Sequence, residues 1–270
     1  MTAPTSPAYG QDAGGAVYCV VTAAGAGTRL GFDQPKALVP VAGVPMVVRA
    51  VDAMFAHTRV VAVVVTAPAQ YVGQFQSLFA DYPRVRVVAG GRERQDSVSA
   101  GLVALEQFAT QLHLPMQAYS PVLIHDAARP LTPVAVVETV VSSLESGLEA
   151  VIPALPVTDT IKVVPQEPPL AVGADGGYPV EPVVGAADRR WLRAVQTPQG
   201  FHWRTISVAH GINVDAAGED GLVPVGSGAT DDAALVEAQG KEVYLCEGAQ
   251  LSLKITTAFD LEVANSLASR

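Results

Sequence analysis

The sequence predicts an α/β chain built on a mostly parallel sheet, with one projecting β-arm. Up to Ala150, short β-branched runs alternate with apolar patterns at helical spacing, and the runs are apolar at every position rather than at every second one. A strand that is apolar on both faces is buried on both, as in a parallel sheet covered by crossover helices. A Pro/Gly-rich stretch from Pro165 to Pro182 predicts the arm.

The first strand spans Ala16–Thr22, and Met46, Val47, Ala50, Val51, Met54 and Phe55 mark the first helical face. Strands Val60–Val65 and Val85–Ala89 follow, then a helix on which Val98, Gly101, Leu102 and Leu105 align. Strand Val122–His125 precedes a helix carrying Val134, Val137, Val140, Val141 and Leu144. Beyond Ala150, strand-like Val151–Leu155 and Thr160–Val164 lead into the Pro/Gly-rich stretch, and Leu192–Gln196 resumes a strand. A long ordered loop is usually functional, a disordered insertion being the other reading. The chain closes with strands Val243–Cys246 and Leu251–Ile255 and a helix from about Ala258. There is no internal repeat. Residues 1–15 read as a flexible tail, with no basic segment leading into an apolar one; residues 16–270 then form a single domain whose arm covers about 157–190.

Composition narrows the function. A chain of 270 residues, 49% hydrophobic, buries a sizeable core and is not disordered throughout. A net charge of -9 excludes a nucleic-acid partner held by a basic surface, but not a small phosphorylated ligand in a local basic pocket. The two cysteines, Cys19 and Cys246, lie in apolar runs and read as free thiols of a reducing compartment. No apolar run reaches membrane-spanning length. The expectation is a cytoplasmic protein with no membrane partner.

The first strand runs into Ala23-Ala24-Gly25-Ala26-Gly27-Thr28-Arg29, with Pro35-Lys36 shortly after. Small residues let backbone amides approach an anion, and Arg29 and Lys36 add fixed positive charge around a triphosphate. The pattern is neither a Walker A loop nor a full dinucleotide fingerprint, and a tight strand-to-helix turn with two solvated cations is the plain alternative. Gly90-Gly91 through Ser97 stands at a strand exit and helix entry, where Ser97 either caps the helix or meets a base or ribose. His125-Asp126-Ala127-Ala128-Arg129-Pro130 follows an apolar strand. Ligands of open α/β sheets bind at the carboxyl ends of strands, so Asp126 is a candidate to hold a metal or an acceptor hydroxyl, or else simply turns the chain; His125 reads as a hydrogen-bonding residue. Thr230-Asp231-Asp232 opens a helix. Lys254, inside an apolar segment, is either a snorkelling edge lysine or a phosphate ligand.

Taken in order, these segments together with Val157–Lys162 and Gln196–Gln199 resemble the cytidylyltransferases of the methylerythritol phosphate pathway, from about Val17 to the C-terminus. The resemblance implies a Rossmann-like, nucleotide-diphospho-sugar transferase-like fold, with CTP and methylerythritol phosphate as substrates, Mg²⁺ or another divalent cation, and pyrophosphate as product. It implies that Ala23, Ala24, Gly25, Gly91 and Ser97 line the nucleotide site, that Arg29 and Lys36 embrace the α-phosphate, and that Lys254 joins them as catalytic. It places Asp126, Thr230, Arg129, Thr160 and Arg189 around the acceptor, some from a neighbouring subunit, with the arm as a homodimerisation element. Metal ligands are left to phosphate oxygens and water. A ribitol-5-phosphate cytidylyltransferase shares the turn, the lysine and the His-Asp-Ala-Ala-Arg segment, and a nonenzymatic nucleotide-binding protein is the alternative of another class.

Overall fold

The computed structural model of the protein describes residues 15–25, 34–165, 180–212 and 231–269. Arg29 and Thr230, most of the N-terminal tail and the middle of the arm therefore lie outside the described residues.

A central strand of six residues, β1 (Val17–Thr22), is flanked by β4 (Val60–Ala67) and β6 (Pro121–Asp126), and all three are parallel. Every residue of β4 and β6 is buried, the condition their unbroken apolar sequences demand. β5 (Val85–Ala89) extends the sheet beyond β4, again parallel. On the other side β11 (Gln199–His202) runs antiparallel between β6 and β7 (Ala150–Pro156), and β10 (Arg193–Val195) continues along the same edge of β7. β12 (Tyr244–Glu247) pairs with the opposite edge of β7 in parallel. Only β10 and β11 oppose the common direction of this eight-stranded sheet, so it is mostly parallel.

Alternate residues of β1 point to opposite faces. Val17, Cys19 and Val21 join a core completed by α1 (Met46–Phe55), α2 (Val72–Leu78) and α4 (Val134–Glu145), whereas Tyr18 and Val20 join one completed by α3 (Arg94–Gln111), α5 (Trp203–Ala209) and α6 (Asp232–Glu237). α3 approaches β1 closely because position 101 is glycine: a Cβ there would lie 2.5 Å from Val20 Cγ1. A small third cluster packs Val39, Val41 and Met46 against Ile255 and Ala264, the last from α7 (Ala258–Ala268). Two short pairs complete the strands, β2 (Pro40–Val41) with β3 (Val44–Pro45), and β8 (Lys162–Val163) with β9 (Gly185–Ala186) in the arm.

The expected strand Leu251–Ile255 is corrected. Residues Gln250–Ser252 form a 3₁₀ turn, and the segment is laced to the protein by single bonds instead of a ladder: Arg129 takes the Ser252 carbonyl and the Ile255 amide donates to Ala128. Within the arm the regular pairing covers only Lys162–Val163 of the expected Thr160–Val164. No helix among the described residues is long and apolar enough to cross a membrane.

Candidate active site

The carboxyl ends of β1 and β6 and the N-terminus of α3 enclose a cleft of about 260 Å³. This is where an open α/β sheet presents a ligand crevice. Ala23, Ala24 and Gly25 form one wall as the chain leaves β1, and Gly91 to Arg94 with Ser97 form the facing wall. The walls touch at Gly90, where a Cβ would lie 2.6 Å from Ala24 Cβ and 2.8 Å from Ser97 Oγ.

The facing wall is shaped by helix capping. Glu93 is the N-cap of α3, and its side chain and that of Asp96 close a reciprocal capping box. Ser97 Oγ donates to the Glu93 carbonyl at 3.0 Å and accepts from the Gly91 amide at 3.1 Å. Its hydroxyl thus fixes the glycine turn from within. The start of this 18-residue helix then faces the cleft with the positive end of its dipole, a favoured place for phosphate.

Asp126 closes β6 and forms the floor. Lys254 Nζ lies 2.8 Å from its Oδ2, Arg94 Nε 3.6 Å from its Oδ1, and Arg129 Nε 4.0 Å from its Oδ2. Thr22 Oγ1 approaches Oδ1 at 3.3 Å. Burial raises the carboxyl's pKa, but Lys254, Arg94 and Arg129 more than reverse this and hold it below the usual carboxylate range. Asp126 is therefore a fixed negative charge ringed by three cations. Behind it, His125 contacts Thr197 and the Arg129 carbonyl and is wholly buried, a hydrogen-bonding place rather than one open to substrate.

Of the residues singled out in the sequence, Ala23, Ala24, Gly25, Lys36, Gly91, Ser97, Asp126 and Lys254 all line this cleft. Arg129 lies beneath it, where its guanidinium donates to the Ser252 carbonyl at 2.6 Å and the Val195 carbonyl at 3.2 Å and so clamps the segment that carries Lys254. Thr160 and Arg189 are exposed in the arm, with Arg189 bonded to the Thr158 carbonyl, and neither lines the cleft of its own chain. Sequence reasoning passed over Arg94, although it opens the helix next to the glycine pair. It also read Asp232 only as a helix-opening acid, whereas Asp231 is the N-cap of α6 and Asp232 pairs with Arg94 at 2.7 Å.

A profile of the family described as 2-C-methyl-D-erythritol 4-phosphate cytidylyltransferase matches residues 17–270. Proteins of that name from Nocardia farcinica and Rhodococcus jostii are 43% and 42% identical to this chain; the matches cover 96% and 95% of it and 96% of each relative. The crystal structure of the enzyme of that name from Thermus thermophilus is 29% identical and superposes with a TM-score of 0.65, covering 94% of this chain and all of that one (100%). A 4-diphosphocytidyl-2C-methyl-D-erythritol synthase from Anaerococcus prevotii, 22% identical, shares the fold with a TM-score of 0.70 over 95% of this chain and 97% of its own. With the cleft lying at the carboxyl ends of the strands and the match running from β1 to the last residue, the chain belongs to the 2-C-methyl-D-erythritol 4-phosphate cytidylyltransferase family.

Proposed function

We propose that the protein transfers CMP from CTP to 2-C-methyl-D-erythritol 4-phosphate, giving 4-diphosphocytidyl-2-C-methyl-D-erythritol and pyrophosphate. The observation that carries this reading is one cleft in which the amides after β1, the start of α3, Lys36 and Lys254 surround a fixed carboxylate, Asp126, in a member of this family.

An oxygen of the acceptor's phosphate attacks the α-phosphorus of CTP, and the bond from that phosphorus to the bridging oxygen of the β-phosphate breaks as pyrophosphate leaves. The attacking group is already an anion, so no protein nucleophile is needed; the chain's work is to hold two anions in line and to meet the charge that grows between them. The Ala23–Gly25 turn and the Gly91 wall receive the nucleotide. Lys36 faces the α-phosphate, the group to which the family resemblance also assigns Arg29. Asp126 accepts from an acceptor hydroxyl, and Lys254 is held beside it to meet phosphate oxygens. Mg²⁺ carried by the triphosphate would neutralise phosphate charge there. Phosphate oxygens and water would hold such an ion, since Mg²⁺ commonly keeps them as ligands and Asp126 on the cleft floor already faces Lys254, Arg94 and Arg129.

Two further parts of the reading are a homodimer built through the arm, which carries the exposed Thr160 and Arg189 towards a partner's cleft, and a cytoplasmic location, which the free thiols of Cys19 and Cys246 support. The test is pyrophosphate release with CTP and Mg²⁺, run beside each other with methylerythritol 4-phosphate and ribitol 5-phosphate. Turnover with the first acceptor alone is expected. Turnover with the second alone would keep the mechanism and change the substrate, and release from neither would leave a nucleotide-binding protein.

A further inference from the structure

Arg94 is the first residue of α3, and its guanidinium is shared between two carboxylates. Nη2 stands 2.7 Å from Asp232 Oδ2, and Nε stands 3.6 Å from Asp126 Oδ1. The first contact is an ion pair that departs from hydrogen-bond alignment, as expected when one planar fork spans two acids instead of closing on either. Asp232 is completely buried at the start of α6, and its Oδ1 lies 3.1 Å from His210 Nε2. His210, at the end of α5, is buried too, and its Nδ1 lies 2.8 Å from Ser99 Oγ on α3. An ionised carboxylate only accepts, so Nε2 carries the hydrogen it gives to Asp232, while Nδ1 meets the Ser99 hydroxyl. A continuous chain thus runs from Ser99 through His210, Asp232 and Arg94 to the carboxylate of the cleft.

Helix capping does not account for Asp232. Asp231 performs that task, accepting from the Ala234 amide at 3.0 Å. Burial raises the Asp232 carboxyl's pKa, yet His210 and Arg94 more than reverse this and keep it charged. A buried charge of this kind is retained at a cost unless both of its oxygens are engaged, and here they face different partners. Arg94 needs to move by less than an ångström to close on Asp126 as it now meets Asp232.

With Asp126 read as the carboxylate that meets the acceptor, on which this inference rests, we propose that Asp232, braced by His210, is a positioning residue: it holds Arg94 back from Asp126 Oδ1 and so leaves that oxygen to the incoming acceptor and the carboxylate's charge to Lys254 on Oδ2. Asp232→Asn keeps the side chain's shape and still accepts from His210, but sets an amide donor against the guanidinium. Arg94 then closes on Asp126 Oδ1, its charge competes with that of Lys254 for the one carboxylate and loosens the lysine, and the acceptor meets an occupied oxygen.

Two readouts decide the matter in the full-length protein. Without substrate, trace acetylation of lysines by acetic anhydride, read peptide by peptide, is expected to rise at Lys254 by roughly threefold relative to Lys162 and Lys241 in Asp232→Asn. In turnover, KM for methylerythritol phosphate is expected to rise by about tenfold, with KM for CTP changed by less than about twofold, a split that general loosening of the fold does not produce. Unchanged Lys254 labelling in a folded variant overturns the proposal, as does raised labelling with an unchanged acceptor KM in an enzyme whose parent turns over. Raised labelling in a protein whose parent never turned over would support the brace while removing the functional reading. Should Asp232→Asn not fold, His210→Leu carries the decision: Asp232 is then free to take Arg94 with both oxygens, Lys254 labelling is expected to fall below the parent's, and a rise or no change overturns the idea.

Discussion

His125 shows how a titratable side chain one residue from the cleft's carboxylate is kept out of the chemistry. Its Nε2 lies 3.3 Å from the Arg129 carbonyl, which only accepts, so that nitrogen bears the hydrogen; Nδ1 then accepts from Thr197 Oγ1 at 3.0 Å, and the same hydroxyl accepts from the Asp126 amide at 3.0 Å. Burial lowers the imidazole's pKa from 6.5 to about 4, with Asp126 opposing and Arg129 assisting. The unfolded chain therefore binds a proton near pH 6.5 that the folded chain refuses until about pH 4. Stability linked to His125 is complete above the unfolded value and is lost as pH falls between the two, by roughly 3 kcal/mol in all at about 1.4 kcal/mol per unit. The expected outcome is a thermal midpoint that falls more steeply between pH 7 and pH 4.5 in the parent than in His125→Gln, whose amide can serve both partners without titrating. Parallel slopes would mean that another group dominates this range. The hydrogen-bonding role of His125 was legible in sequence, because a histidine at the end of a wholly apolar strand has nowhere to charge. The Arg94–Asp232 pair was not: the two lie far apart in the chain, and Arg94, two residues after Arg92 in a polar stretch, looks like any solvated cation.

At the level of elements, the strands β1 and β6 that carry the site and three of the covering helices, α1, α3 and α4, followed from periodicity alone. The pattern on α4 runs from Val134 to Leu144, and the helix spans Val134–Glu145. What escaped were elements whose existence depends on distant partners. α2, α5 and α6, at seven, seven and six residues, are too short to show a helical period, and the Lys254 segment takes its shape from Arg129 and Ala128 instead of a strand neighbour. The junction between β5 and α3 offers a test of how tightly two elements define the cleft. A methyl group at Gly90 meets Ala24 Cβ at 2.6 Å and a serine hydroxyl that is already bonded twice, so neither wall yields without opening. At Gly101 the clash, 2.5 Å to Val20 Cγ1 and 3.0 Å to Thr66 Cγ2, lies in the core beneath the same helix. Gly90→Ala is expected to weaken CTP binding by about tenfold or more, whereas Gly101→Ala lowers stability by roughly 1–3 kcal/mol with a smaller change in affinity. Titration calorimetry and thermal unfolding of both variants separate the two effects. Equal loss of CTP affinity would show that the cleft depends on the seating of α3 as a whole.

The molecule as a whole exposes a surface that its core does not use. Along the arm Val180, Val183 and Val184 are 55%, 57% and 64% exposed, and Trp191, on the 3₁₀ turn that starts at Arg189, is 81% exposed. These exposed apolar side chains fit the proposed dimer through the arm, since aromatic side chains are favoured in the buried centres of interfaces. If the proposed dimer forms through them, Trp191→Ser together with Val184→Lys shifts it to monomer in sedimentation and lowers turnover with it, whereas a parent that sediments as a monomer overturns the dimer. Subunit complementation then decides whether the arm completes a partner's cleft. Lys36→Ala and Arg189→Ala each impair one group; if Arg189 acts across the interface, a purified heterodimer of the two variants holds one site with both residues intact and one with neither, and is expected to recover roughly half of the parent's turnover, because a two-fold dimer offers each cleft one partner arm. If Arg189 serves its own chain, each site of the heterodimer keeps one defect and no recovery occurs. The exposed position of Arg189, bonded to the carbonyl of Thr158 within its own arm, favours the first outcome.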